Sequence, residues 1–102
     1  MKPTFTDFMN KVILLKSDVT KYMINKKYSN DEIRHTLGII DIISNMAEKL
    51  TCVELVDTYN LLFEKYDTLK FWRLCDSIGV NRNLLDTFNA MAIIDTVICK
   101  NK

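Results

Sequence analysis

Apolar residues recur at intervals of three and four along nearly the whole chain. The first run extends from Phe5 to Met23. This spacing places the apolar side chains on one face of an α-helix. The same spacing returns in four further runs, at residues 33–50, 53–66, 69–78 and 84–98. The pattern predicts an all-α fold, a compact bundle of about five helices.

Polar residues at the start of these runs are typical of helix caps. Residues 29–32 and 51–54 read Ser-x-x-Glu and Thr-x-x-Glu. This is the capping-box sequence, in which the hydroxyl and the carboxylate each accept a backbone N–H at the helix start. Asp67 and Asn81 are further cap residues, each flanked by an apolar pair. We therefore expect helices to begin directly after residues 29, 51, 67 and 81.

The last helix differs from the others because it is apolar nearly all round between Ala90 and Ile94. Such a helix is either central to the bundle or covered by a partner. The chain has no linker or low-complexity tract, and Gly79 is expected to end the fourth helix. We predict a single helical domain over residues 1–102, with a homodimer as one way of covering the last helix.

Composition changes this picture little. Of the 102 residues 48% are hydrophobic, and 14 basic against 13 acidic residues give a net charge of +1. Neither disorder nor a strongly charged partner is indicated. No run of 18 apolar residues and no secretory signal is present, so we expect an intracellular protein without a membrane partner. Cys52, Cys75 and Cys99 form no Cys-x-x-Cys pair and are expected to be reduced, buried thiols.

Residues that carry catalysis are sparse. His35 is the sole histidine, near the start of the second helix, where we expect it to be solvated or at a rim. One histidine and three dispersed cysteines fit no standard metal-ligand spacing. We therefore expect no enzyme activity, no metal and no cofactor. A polar cleft that brought His35 to a thiol or to paired carboxylates would contradict this interpretation.

Residues 71–90, FWRLCDSIGVNRNLLDTFNA, resemble a DNA-binding helix-turn-helix. Cys75 stands at the small position of the first helix and Gly79 at the turn. The apolar positions of the motif, which hold the two helices together, would be Leu74, Ile78, Val80, Leu85 and Phe88. The resemblance implies that four residues face the major groove of DNA: Asn81, Arg82, Asn83 and Thr87. The other interpretation of this segment is a plain helical hairpin.

Aromatic residues suggest a function in protein binding, because interfaces are enriched in them near their centres. The candidates for such an interface are Tyr22, Tyr59, Phe63, Tyr66 and Trp72. The 11 lysines, 11 isoleucines and nine asparagines favour A/T-rich codons, as in many viral and phage genomes. Our first hypothesis is a small non-enzymatic protein that binds a protein partner, itself or a host protein. A DNA-binding regulator is the alternative.

Overall fold

The computed structural model describes residues 2–101, and Met1 and Lys102 of the predicted domain lie outside them. The described residues form five α-helices and no strand, which confirms the all-α prediction. The helices are α1 (Phe5–Asn25), α2 (Asn30–Ala47), α3 (Cys52–Tyr59), α4 (Thr68–Ser77) and α5 (Leu85–Lys100). A π-helical turn, Asn60–Glu64, continues α3.

Side chains cap the first four helices. The Ser29 hydroxyl accepts the Glu32 N–H at 3.2 Å, and Thr51 accepts the Glu54 N–H at 3.2 Å. The Asp67 carboxylate accepts the Lys70 N–H at 3.0 Å. These predicted starts are confirmed. The structure adds a capping box at Thr4, which the sequence interpretation missed.

The predicted start of the last helix is wrong. Asn81 does not cap α5, because its side chain accepts the Asn83 N–H at 3.1 Å within the turn. Asparagine bonds readily to the backbone two residues ahead, and this local turn competes with helix formation. Helix α5 begins three residues later than expected, at Leu85, after Leu84 at the cap position.

Helices α1 and α4 are each followed by a residue with a left-handed backbone, Lys27 after α1 and Gly79 after α4. After α4, the Gly79 N–H donates to the Asp76 carbonyl at 3.2 Å and the Val80 N–H to the Cys75 carbonyl at 2.9 Å. This is a Schellman motif, and Gly79 has the positive φ of 90° that it requires. Gly79 thus ends the fourth helix as predicted.

Helix α5 is the centre of the bundle. It contacts α1, α2 and α4, and the Trp72–Phe88 pair joins its first turn to α4. Its buried residues include Ala90, Met91, Ile94, Val97 and Ile98, which complete the core formed by one face of α1 and one face of α2. This confirms the central position expected for the last helix. Among the described residues, no helix combines the length and apolar character that crossing a membrane requires.

Candidate protein-binding surface

The five aromatic residues named as interface candidates are all partly buried, and most of them belong to the core. Phe63 makes edge contacts with the rings of Phe8, 5.7 Å away, and Tyr59, 5.5 Å away. Tyr66 packs against Phe71 and donates a hydrogen bond to Asp95. These contacts fix Tyr59, Phe63 and Tyr66 between helices, so their rings are poor contact points for a partner.

Tyr22 lies between two lysines. The Nζ atoms of Lys26 and Lys100 are 5.9 Å and 5.0 Å from the centre of its ring. Cation–π contact of this kind is favourable, but the two lysine chains also cover the ring. Of the five candidates, Trp72 remains, and its ring borders exposed apolar side chains.

Trp72 is part of a continuous apolar surface on the α4–α5 hairpin. Its ring centre lies 5.1 Å from that of Phe88, which joins the two helices. Leu69 lies one turn before Trp72 on α4, while Leu84 and Leu85 lie one turn before Phe88 at the start of α5. We call this cluster the hairpin surface: Leu69, Trp72, Leu84, Leu85 and Phe88.

Four of the five members of the hairpin surface are exposed, and Trp72 is half-buried. Leu85 is 72% exposed, Leu69 59%, Leu84 58% and Phe88 47%. Other exposed apolar residues occur on the chain. The members of the hairpin surface differ from them because they lie on two neighbouring helices that the Trp72–Phe88 contact joins. Contiguous exposed apolar area of this kind marks interaction sites on soluble proteins.

Charged side chains frame this surface. Arg82 pairs with Asp76 at 3.2 Å, and its guanidinium lies 5.9 Å from the centre of the Trp72 ring. Arg73 is exposed, and it takes part in no ion pair among residues 2–101. An apolar centre with a charged rim is the usual anatomy of a protein interface.

The residues expected to face DNA are placed differently from what the resemblance implies. Asn81, Arg82 and Asn83 lie in the turn that precedes α5. Thr87 is 7% exposed and its hydroxyl lies 3.4 Å from His35 Nε2, so its expected position toward the groove is wrong. The buried side of α5 includes Thr87 because the helix packs on α2 there.

The motif's apolar positions divide into two groups. Val80 is buried, as is Cys75 at the small position, and Leu74 and Ile78 pack against the core as expected. Phe88 contacts Trp72 of α4 but is 47% exposed. Leu85 does not hold the two helices together, since it points into solvent as the first residue of α5. The later start of α5 is the physical reason, because it moves Leu85 from the second turn of the expected helix to its exposed first turn.

A cleft of about 550 Å³ lies between the end of α1, the first half of α2 and α5. It is lined by the Tyr22 and Tyr28 rings, by the histidine and by three carboxylates, which are His35, Asp31, Glu32 and Asp86. This volume is within the range of ligand pockets. His35 and three carboxylates thus line the same cleft, which the sequence interpretation did not expect.

The groups in this cleft are not arranged as a catalytic pair. Glu32 accepts the Ser29 N–H at 3.0 Å in the cap of α2. This contact and the Ser29 hydroxyl lower the pKa of the Glu32 carboxyl, so it stays ionised as a structural acceptor. No cysteine lines the cleft, and the ion pairs of residues 2–101 do not include His35. The hydrogen-bond contact of the His35 ring among residues 2–101 is the one with the Thr87 hydroxyl, 3.4 Å from Nε2, and no third group bonds to the ring to orient it as in the triad of nucleophilic catalysis.

Metal ligands and thiols are likewise dispersed over the described part of the chain. No group of three or more His, Cys, Asp or Glu side chains is placed to hold a metal ion. Cys75 is buried as expected, and burial raises the pKa of its thiol to about 12. Cys52 and Cys99 are exposed, so the expectation of buried thiols is wrong for these two. Cys52 is the first residue of α3, and Cys99 lies in the last turn of α5.

Comparisons of this chain with models of protein families, with curated proteins and with solved structures gave no match. The hairpin surface and the cleft are therefore judged on their own chemistry. The hairpin surface is the better candidate because its exposed apolar side chains have no role in the core.

Proposed function

We propose that this chain is a non-enzymatic protein that acts by binding a protein partner through the hairpin surface. The observation that carries the proposal is the exposed apolar cluster joined by Trp72 and Phe88. Burying apolar surface contributes roughly 25 cal/mol per Å². Aromatic residues such as this pair are enriched at the centres of interfaces, and the leucines beside it add exposed apolar area.

The start of α5 supports the proposal independently. Helices α1 to α4 each begin with a side chain that caps the helix, whereas α5 begins after an exposed Leu84 that caps nothing. A polar cap at this position would stabilise the protein by about 1 kcal/mol. Sequences depart from such local rules mainly at functional sites, where another requirement decides the residue. An apolar contact with a partner is a requirement of this kind.

The partner class follows from the composition of the chain. The A/T-favouring residues suggest a viral or phage gene, and we propose a host protein or a second copy of the chain as the partner. The three free cysteines suit the reducing interior of a cell, which is where we place the protein.

The proposal is tested by comparing two glutamate substitutions. Leu85→Glu places a charge on the hairpin surface, and Val53→Glu places one in the first turn of α3, where Val53 is 66% exposed. Each substitution adds a carboxylate to a helix N-terminus, so their effects on helix stability are matched. Thermal unfolding of both variants should stay close to that of the wild type.

Binding is measured with purified components after capture from cell extract. We expect a partner that binds the wild type and V53E alike in calorimetry and binds L85E at least about tenfold more weakly. A partner that binds all three proteins with the same affinity would show that the hairpin surface is not its site.

DNA binding is the second candidate, and the observation that favours it is the helix–turn–helix arrangement of α4, the 78–84 turn and α5. Arg82 is exposed enough to contact a phosphate if it leaves Asp76. This alternative predicts a mobility shift on duplex DNA that weakens steeply with salt and is reduced by Arg82→Ala. A mobility shift at low salt that R82A leaves unchanged, or no shift at all, would dispose of it.

A further inference from the structure

The cleft between the end of α1, the first half of α2 and α5 has an apolar floor. Met23, Ala90 and Ile93 line the cleft and are buried, so its floor is part of the surface of the core. Thr36 and Thr96 also line it, but each hydroxyl donates to a carbonyl of its own helix at 2.8 Å. A ligand in the cleft therefore meets apolar side chains at the floor and finds no free proton donor on these two threonines.

The walls of the cleft are acidic. Asp31 and Glu32 stand on the wall that α2 forms, and Asp86 stands on the wall that α5 forms. Asp86 takes part in no ion pair among residues 2–101, and Asp31 has only a 3.8 Å pair with Arg34, whose side chain is 78% exposed. No lysine or arginine of the described chain lines the cleft. A cleft with charges of one sign concentrates the electrostatic field and attracts ligands of the opposite sign, here cations.

Two tyrosine rings complete the lining on the side of α1. The Tyr22 ring already contacts the ammonium groups of Lys26 and Lys100, 5.9 Å and 5.0 Å from its centre. No cation of the described chain contacts the ring of Tyr28 in this way. Aromatic rings attract ammonium groups through their negative faces, so Tyr28 adds a second feature that favours a cation.

We infer that this cleft binds a small organic cation with an apolar body, such as a primary amine attached to an aromatic ring. The body would pack on Ala90 and Ile93 and beside Tyr28, and the ammonium group would lie near Asp86, with Asp31 on the opposite wall. A volume of about 550 Å³ suits an organic ligand. The described acidic side chains form no group placed to hold a metal ion, which also favours a larger cation. None of the lining residues belongs to the hairpin surface, so this site is separate from the proposed one.

Three probes with the same phenyl ring separate the effect of charge from that of shape. At neutral pH phenethylamine is a cation, 2-phenylethanol is neutral and 3-phenylpropanoate is an anion. We expect phenethylamine to bind with a dissociation constant of roughly 1 mM, as is ordinary for a ligand of this size. The neutral and anionic probes should bind at least about tenfold more weakly, and so should methylammonium, which has the charge without the apolar body. Titrations followed by the backbone amide signals in NMR spectra measure these affinities and show which residues the probe affects.

Substitutions of the carboxylates test which residues hold the ammonium group. D86N and D31N each remove one charge from a wall and should weaken phenethylamine binding at least about threefold. D57N is the matched control, because Asp57 is an exposed carboxylate of α3 outside the cleft and its loss changes the net charge equally. D57N should bind phenethylamine like the wild type. Thermal unfolding shows that each variant folds.

Several outcomes would overturn the amine site. Phenethylamine may not be matched by its analogues: equal affinity for all three phenyl probes, or tighter binding of the anion, would show that the carboxylates do not select the ligand. Methylammonium binding as tightly as phenethylamine would show that the apolar floor has no role. Unchanged binding by both D86N and D31N, or amide shifts confined to residues outside the cleft, would place any amine elsewhere on the chain.

Discussion

The Tyr66 hydroxyl donates a 2.7 Å hydrogen bond to Asp95 Oδ1, which joins the segment before α4 to the middle of the central helix α5. The Thr68 hydroxyl donates to the same oxygen at 3.0 Å. Asp95 interrupts an otherwise apolar run, and these two contacts explain how the core helix accommodates a carboxylate at this position. The Thr68 contact also joins α4 to α5, the two helices that carry the hairpin surface.

Removing this contact should destabilise the fold. Tyr66→Phe deletes one donor to a carboxylate and should lower the free energy of unfolding by about 1–2 kcal/mol. Asp95→Ala deletes the acceptor of both contacts and should cost about 2–3 kcal/mol. Chemical denaturation of the variants measures these differences. Tyr59→Phe is the control, because the Tyr59 hydroxyl has no hydrogen-bond partner among residues 2–101, and an equal loss there would contradict the role of Asp95.

Ionisation of the Tyr66 hydroxyl should lower the free energy of unfolding at alkaline pH. Burial, with a further contribution from Asp95, raises the pKa of Tyr66 above its ordinary value of 10.0. The folded state therefore keeps a proton that the unfolded state releases above pH 10. The contribution of Tyr66 is complete below that pH and decreases above it by about 1.4 kcal/mol per pH unit. We expect the unfolding free energy of the wild type to fall more steeply than that of Y66F above pH 10, and parallel curves would contradict this.

Cys75 should act in the same direction over a lower range of pH. Burial raises the pKa of its thiol from 9.0 to about 12. Its stabilising contribution is thus complete below pH 9 and is lost progressively up to pH 12. Cys75→Ala should reduce the pH dependence of stability in this interval, and a variant with the same slope as the wild type between pH 9 and 12 would contradict this.

Lys27 and Gly79 occupy the same position in two helix ends, and substitutions at them should have opposite effects. Lys27 has a positive φ of 64° after α1, which is costly for a residue with a Cβ. Lys27→Gly should therefore raise the free energy of unfolding by up to about 1 kcal/mol, and Gly79→Ala should lower it by a similar amount. Thermal unfolding measures both. No heavy atom lies within 4 Å of a Cβ added at Gly79, so the loss there would come from the backbone alone.

The parts of the fold that the sequence predicts are those decided by neighbouring residues. Ser29, Thr51 and Asp67 cap helices because a side chain three residues from an N–H finds it without help from the rest of the fold. Asn81 is also a residue type that caps helices, but its side chain accepts the Asn83 N–H within the turn instead. The sequence pattern does not distinguish a helix cap from this local turn.

The candidate site depends on packing between distant segments and was therefore only partly predictable. Tyr66 and Trp72 look alike as aromatic residues at helical spacing, yet one is tied to Asp95, 29 residues away, and the other contacts an exposed phenylalanine. The helix-turn-helix resemblance predicts a helix–helix contact for Leu85, which the later start of α5 prevents. A leucine pair at a helix start without a capping side chain, Leu84-Leu85, is the local signal that would have pointed to the hairpin surface.

Substitutions of Leu84, the cap residue of α5, should change the stability of the fold and the affinity for a partner in opposite directions. Leu84 has φ −79° and ψ 129°, an extended backbone like that of the capping residue Thr51, so an aspartate there could accept the Thr87 N–H. Leu84→Asp should raise the free energy of unfolding by about 1 kcal/mol.

The same substitution should weaken partner binding, because it replaces an apolar contact with a charge that must be desolvated. Leu84→Ala completes the comparison, since alanine caps poorly but also removes the leucine side chain from the hairpin surface. We expect L84A to weaken binding without stabilising the fold. Calorimetric unfolding and titration with the partner measure both effects, and an L84D variant that is more stable and binds as tightly as the wild type would show that Leu84 has no part in recognition.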